Sequence, residues 1–349
     1  MLALLPLGQP SATCKRASSR LSSGHWTDNF EYVIDEGDGV SWRLGQGRAW
    51  CGLLAGDRPN ALVVGDSTQL QFFNELCNRF NVKPVWPSPN PALAGNVNSM
   101  GRSCSICNGS SWLHFIRNDW VDTRTSGFGP VDPGESKEGA TFCDPISSMN
   151  NSELCTNWTK ADGTCSFGPS HCAAWAYPRL LRTTGLLVLQ TGLHPRPWTH
   201  LVAKVTEAAA VLQPFVLDGL AVVFRTSVPG WDNCSAHAVV HPHPYASLRE
   251  AELYMTQHPW YNSAEILWQQ RILRELASSF DWAVMDVLQM TMLRPDVRAP
   301  FSNRHNYLPG GMHPGDCLHL YPAHPLRWTD LLSNVVQHCF GRSPRGRAP

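Results

Sequence analysis

Ala61-Leu62-Val63-Val64 is an apolar run that ends abruptly in Gly65-Asp66-Ser67, and Leu70, Phe73, Leu76, Cys77 and Phe80 then recur at helical spacing. The pattern predicts a buried strand over 61–64, a tight turn, and a helix from about Thr68 to Arg79. Similar punctuation runs down the chain. Residues 112–120 and 185–190 read as further strands, the second ending in Thr191-Gly192-Leu193-His194. Leu201, Val205, Ala208 and Leu212 place one apolar face on a helix over 198–212. Leu220 to Phe224 is the next strand and leads into Arg225-Thr226-Ser227. Ser263 is an N-cap for a helix reaching Phe280, 282–287 is a strand, and 326–340 is a closing helix. Pro-, Asn- and Gly-rich stretches at 82–101, 228–260 and 293–315 read as loops. Strands alternating with helices imply an α/β fold, with a mostly parallel sheet covered on both faces.

This pattern also sets the organisation of the chain. Residues 1–28 have little periodicity and read as a stalk or disordered lead. Residues 29–341 read as one domain, with 30–54 packed on the core and pinned by a disulfide. Residues 342–349 read as a disordered tail. Within the domain, about 121–179 is a long insertion dense in Gly, Ser, Asp and Cys, expected to be cross-linked and to cap a site. No internal repeat is found.

Composition narrows the function classes. Of 349 residues, 43% are hydrophobic, enough for a large core, and 28 Lys+Arg balance 28 Asp+Glu. That neutrality gives no support for a nucleic-acid partner or a polybasic membrane patch. The twelve cysteines, four of them between Cys143 and Cys172, point to disulfides and an oxidising compartment. Cys104-Ser-Ile-Cys107 raises zinc as the rival, but no second closely spaced pair accompanies it. Sequons at Asn108, Asn150, Asn157 and Asn233 agree with a lumenal or secreted chain. Met1 to Leu7 is apolar but too short for a signal peptide or a membrane span. Either the sequence starts inside a longer precursor or an anchor is missing from it, and the lumenal or secreted reading rests on the cysteines.

Two motifs carry chemistry. Gly65-Asp66-Ser67 sets a hydroxyl at the carboxyl end of a strand and the amino end of a helix, where free N–H groups stabilise developing negative charge. An ordinary strand–helix turn with Asp and Ser as caps has the same sequence. Far downstream, Asp316-Cys317-Leu318-His319 spaces a carboxylate and an imidazole so that the first can hold Nδ1–H and leave Nε2 to take a proton from a serine. The order of the two motifs resembles the GDSL/SGNH hydrolase superfamily.

Successive strand ends narrow the resemblance to the plant trichome-birefringence-like, or PC-esterase, family of polysaccharide O-acetyltransferases. Gly65-Asp66-Ser67, Gln190-Thr191-Gly192, Phe224-Arg225-Thr226, Val228 to Cys234, Met285-Asp286-Val287 with Arg294-Pro295-Asp296, and Asp316 to His319 match its blocks in order, over about 51–339. Departures are Gln190 for the family's Asn, Leu193 to Pro195 for its Trp residues, Leu320-Tyr321-Pro322 after the histidine, and the lack of a Gly-x-Asn-Asp block, for which Asn118-Asp119 is better read as structural. The resemblance implies a three-layer α/β/α SGNH-hydrolase-like domain with a disulfide-rich insertion. It implies Ser67 as nucleophile, His319 as base, Asp316 as orienting group, and Gly192 and Arg225 as oxyanion or substrate-binding residues. Partners would be a carbohydrate and an acyl donor the sequence does not identify. No metal and no tightly bound cofactor are expected, and the compartment would be the Golgi lumen or outside the cell. Water as acceptor would make the same machinery a carbohydrate acetylesterase. A non-catalytic carbohydrate-binding module, and a metal enzyme built on His241-Pro242-His243, are the readings from other classes.

Overall fold

The computed structural model describes residues 14, 24–26, 32–36, 40–43, 49–54, 56–85, 101–123, 142–143, 155–158, 171–176, 178–193, 197–230, 245–258, 263–294 and 323–340. The strands of the main sheet, in chain order, are β1 (Asn60–Gly65), β2 (Gly101–Ile106), β3 (Ser111–Arg117), β4 (Thr184–Leu189), β5 (Ala221–Arg225) and β6 (Ala283–Met285). The helices are α1 (Ser67–Arg79), α2 (Pro178–Arg182), α3 (Trp198–Leu217), α4 (Leu248–Gln257), α5 (Ser263–Ser279), α6 (Leu288–Met292) and α7 (Ala323–Phe340).

The sheet order is β6-β5-β4-β1-β3-β2, all parallel except β2, which runs antiparallel to β3 at the edge. Side chains alternate between the faces of a strand, so a strand buried on both sides is apolar throughout. On one face Ala61, Val63, Val188 and Val223 join Leu70, Phe73 and Leu76 of α1 and Trp328, Leu331 and Val335 of α7. On the other, Leu62, Val64, Leu187 and Phe224 join Leu201, Val205 and Leu212 of α3 and Leu273 and Ala277 of α5. The expected α/β fold with a mostly parallel sheet is present. α3 is long and apolar enough to cross a membrane by length and composition alone. Here its Leu201–Leu212 face lies in the core, and its Lys204 is ion-paired with Asp122 at 2.8 Å.

One stretch read as a loop, 228–260, contains a helix, and an unassigned strand follows another, 82–101. β2 follows the Pro- and Asn-rich segment; its buried positions are Ser103, Cys104 and Ile106, so the serine hides the apolar alternation. α4 sits inside 228–260. Its start was visible as Ser247-Leu-Arg-Glu250: the Ser247 hydroxyl accepts from Glu250 N (3.2 Å), and the Glu250 carboxylate accepts from Ala246 N (2.8 Å). The insertion contains a small sheet of 142–143, 155–158 and 171–172. Within 1–28, Gly24–Trp26 pairs with Tyr32–Glu36, and Cys14 is bonded to Cys339 of α7.

Among the described residues three disulfides are formed: Cys14–Cys339, Cys51–Cys107 and Cys77–Cys104. The closely spaced Cys104 and Cys107 thus go to different partners, which removes the zinc reading of that pair and pins 49–54 to the core as expected. Oxidised cystines of this kind belong to an oxidising, secretory-like environment.

His114 on β3 is fully buried. Its Nδ1 lies 2.6 Å from Ser103 Oγ on β2 and its Nε2 lies 3.3 Å from Asn60 Oδ1 on β1. Burial pulls its pKa down from 6.5 to about 3. The unfolded chain binds a proton near pH 6.5 that the folded chain refuses. The stability His114 contributes is therefore complete above 6.5 and falls as pH drops toward about 3. At about 1.4 kcal/mol per unit the loss reaches several kcal/mol. In denaturant titrations between about pH 7 and pH 4, wild type is expected to lose stability more steeply than His114→Gln; parallel slopes would refute this.

Candidate active site

The chain leaves β1 toward β3 on one side and later returns to β4 on the other, so the strand order reverses between β1 and β4. Loops diverge at such a switch point and leave a crevice beyond the carboxyl ends of the strands. Gly65-Asp66-Ser67 and Gln190-Thr191-Gly192 follow the two strands that flank it.

Gly65 is required by close approach. A Cβ there would lie 2.5 Å from Gln190 Oε1 and 2.9 Å from Gln69 Cβ. Asp66 is the N-cap of α1: Oδ1 accepts from Thr68 N (2.8 Å), Gln69 N (3.4 Å) and Thr68 Oγ1 (2.7 Å). Its role is to shape the turn, as the sequence suggested. Gln190 reads Asp66 from the next strand, with Asp66 N donating to Oε1 (3.1 Å) and Nε2 donating to Oδ2 (2.6 Å). The same Nε2 also donates to Ser227 Oγ at 2.5 Å, so one amide ties the ends of β1, β4 and β5 together.

Ser67 is the first residue of α1 and is 9% exposed. Among the described residues its hydroxyl and its backbone N–H have no hydrogen-bond partner, whereas the neighbouring Thr68 hydroxyl donates to Asp66. A 13-residue helix aims the positive end of its dipole at this position. An uncommitted hydroxyl there can act as a nucleophile or accept a ligand.

Thr191 fixes the loop after β4. Its hydroxyl donates to Asp119 O (2.9 Å), and its carbonyl accepts from Ser227 Oγ (2.7 Å) and Gln270 Nε2 (3.1 Å). Gly192 follows at φ +94, where a Cβ would meet Gln270 Nε2 at 2.3 Å. Gly192→Ala is expected to lower stability by about 1–3 kcal/mol through backbone strain and displacement of Gln270. Gly52→Ala is the control, since nothing lies within 4 Å of its Cβ. Thermal melts of the two variants decide the point: an unchanged Tm for Gly192→Ala would exclude the clash.

Arg225, at the end of β5, is fully buried beneath the first turn of α1. Nε donates to Gln69 Oε1, Nη2 donates to Thr68 Oγ1 at 2.9 Å, and the guanidinium lies 4.7 Å from the Trp328 ring centroid. Nη1 is buried with no partner among the described residues. Burial lowers the pKa to about 10, with the Asp66 charge opposing the shift, so the group is cationic at neutral pH. Its contacts make it a support for the turn that carries Ser67. Beside it, the Thr226 hydroxyl donates to Asp286 Oδ1 (3.0 Å) and accepts from Val287 N (2.9 Å), while Asp286 pairs with Arg274. Gln270 and Gln69, whose amides each bridge three elements, belong to no motif in the sequence. A polar residue on an otherwise apolar helix face was their only trace.

Asn118 spends its side chain on its own loop, accepting from Asp122 N (2.9 Å) and donating to Asp122 O (2.9 Å), which fits the structural role read for it. Asp316 and His319 lie outside the described residues, as do Cys317, His194, His313, Trp231, Trp260, His241 and His243. The structure thus brings Ser67, Gln190, Gly192 and Arg225 to one edge of the sheet and describes nothing of the Asp-His motif. Among the described residues no group of three His, Cys, Asp or Glu could hold a metal ion. No family model matches the chain, and no curated protein matches it.

Proposed function

We propose that the chain transfers an acyl group, in the first place acetyl, to or from carbohydrate hydroxyls through a covalent acyl-serine. The observation that supports this best is the Ser67 hydroxyl. It is uncommitted, stands at the first position of α1, and borders the switch point of a parallel sheet. In this reading Ser67 Oγ attacks the donor carbonyl. His319 takes the serine proton and returns it to the leaving group, and Asp316 orients the imidazole and stabilises its cation. The Ser67 backbone N–H and the Gly192 loop would face the oxyanion, and Arg225 would hold the turn in place. A sugar hydroxyl as acceptor makes the protein an O-acetyltransferase, the SGNH-type activity that the sequence resemblance suggests; water makes it an esterase.

The test is acetyl-ester turnover by the purified protein, with intact mass spectrometry for an acyl adduct on Ser67 and oligosaccharide acceptors added in parallel. Acetylated oligosaccharide would identify a transferase; release of acetate alone would identify an esterase. A folded protein that gives neither turnover nor adduct would sink the proposal in favour of a binding module.

A further inference from the structure

The turn joining β2 to β3 carries Asn108-Gly109-Ser110, which fits the acceptor sequence for N-linked glycosylation. All three residues are exposed, although Ile106 before them and Ser111 after them are buried. Asn108 adopts φ 60 and ψ 34, a left-handed conformation that Asn tolerates and that turns the chain outward. The Ser110 hydroxyl donates to Cys107 O at 2.8 Å, and the disulfide to Cys51 holds the base of the turn. No hydrogen bond to the Asn108 amide is found among the described residues, so a substituent there displaces no contact. The cystines place the chain in the kind of compartment where such transfer occurs.

We propose that Asn108 is an N-glycosylation site whose glycan stands at the amino edge of the sheet and covers the end of its edge hairpin. The bond forms between the Asn108 amide nitrogen and the anomeric carbon of a diphosphate-linked oligosaccharide donor. The donor's anomeric C–O bond breaks, the diphosphate carrier leaves with the electron pair, and the amide loses one proton. Position gives the modification a purpose. β2 is the edge strand, and its only outer cover among the described residues is a single bridge from Val85 to Ser103 (2.8 and 3.0 Å). A bulky polar group at the end of that hairpin blocks edge-to-edge pairing with another chain. Because β3 runs parallel to β1, the turn lies at the opposite end of the sheet from Ser67, about 20 Å away at 3.3 Å per residue. A glycan here leaves the crevice open, and the inference is independent of what Ser67 does.

The test uses the full chain secreted from a eukaryotic host. It is deglycosylated enzymatically in heavy-oxygen water, then reduced, alkylated and digested with trypsin in ordinary water, which frees the peptide from its disulfides to Cys51 and Cys77. Peptide 103–117 is expected to carry aspartate with one heavy oxygen at position 108, and to lose that label in Asn108→Gln and in Ser110→Ala. Unmodified Asn108, or aspartate without heavy oxygen arising from spontaneous deamidation of the Asn-Gly pair, would overturn the site. Light scattering on warming tests the shielding: Asn108→Gln is expected to aggregate at lower temperature than glycosylated wild type, and an identical onset would overturn that part.

Discussion

Ser67→Ala is expected to abolish acyl transfer, with turnover of an acetyl ester falling by about 10⁴-fold or more and the acyl adduct disappearing. The same change should leave stability within about 0.5 kcal/mol of wild type. Two features of the turn justify that separation. The cap of α1 is Asp66, so removing the Ser67 hydroxyl does not uncap the helix. Nor does that hydroxyl have a hydrogen bond to lose among the described residues. A purely structural serine would behave the other way, costing stability and no rate. His319→Ala is expected to match Ser67→Ala in rate, and Asp316→Asn to cost about 10⁴-fold by favouring the wrong tautomer. Steady-state kinetics beside a thermal melt decides the matter. Full turnover by a folded Ser67→Ala protein would place the nucleophile elsewhere.

The second large effect is expected at Arg225. Arg225→Met keeps much of the apolar bulk against Trp328 and Phe72 but removes both donors to the first turn of α1. Only one side of each contact is deleted. Gln69 Oε1 and Thr68 Oγ1 remain buried and lose their donors, and Asp66 loses a compensating cation. Breaking a buried polar pair from one side costs about 3–5 kcal/mol, unlike replacing both partners with apolar groups. Tm is expected to fall by roughly 10 °C for a domain of this size. Turnover should fall by about 10²-fold, because the turn carrying Ser67 loses its support. Arg225→Lys retains the charge but cannot reach both acceptors in one plane, so it should recover part of the stability and less of the rate. A Tm within 2 °C of wild type for Arg225→Met would show that the guanidinium does not hold the turn.

Much of the scaffold is legible in the chain because burial imposes a local period. β1, β4 and β5 are buried on both faces and are therefore written as unbroken apolar runs, and α1 shows the helical repeat of one apolar face. Edge positions obey a weaker constraint. β2 contacts one neighbouring strand along its length, so Ser103 and Ser105 are tolerated and the strand resembles the loop before it. α4 was marked by its cap and not by its periodicity, since Ala251 and Met255 are its only buried positions.

The amino-acid sequence by itself determined the type and order of the main elements and the Gly65-Asp66-Ser67 turn, because these follow from residue spacing and from the conformations that glycine, aspartate and serine allow. It also pointed to an oxidising compartment through its cysteines. Only the tertiary structure decided which strands are neighbours, and so that the 66–67 and 190–192 turns share one crevice. It alone paired Cys104 with Cys77 and Cys107 with Cys51, and turned Gln190, Gln69 and Arg225 into a network beneath Ser67. These are contacts between residues 27 to 156 positions apart. Their partners are set by the packing of whole layers, which no local spacing records.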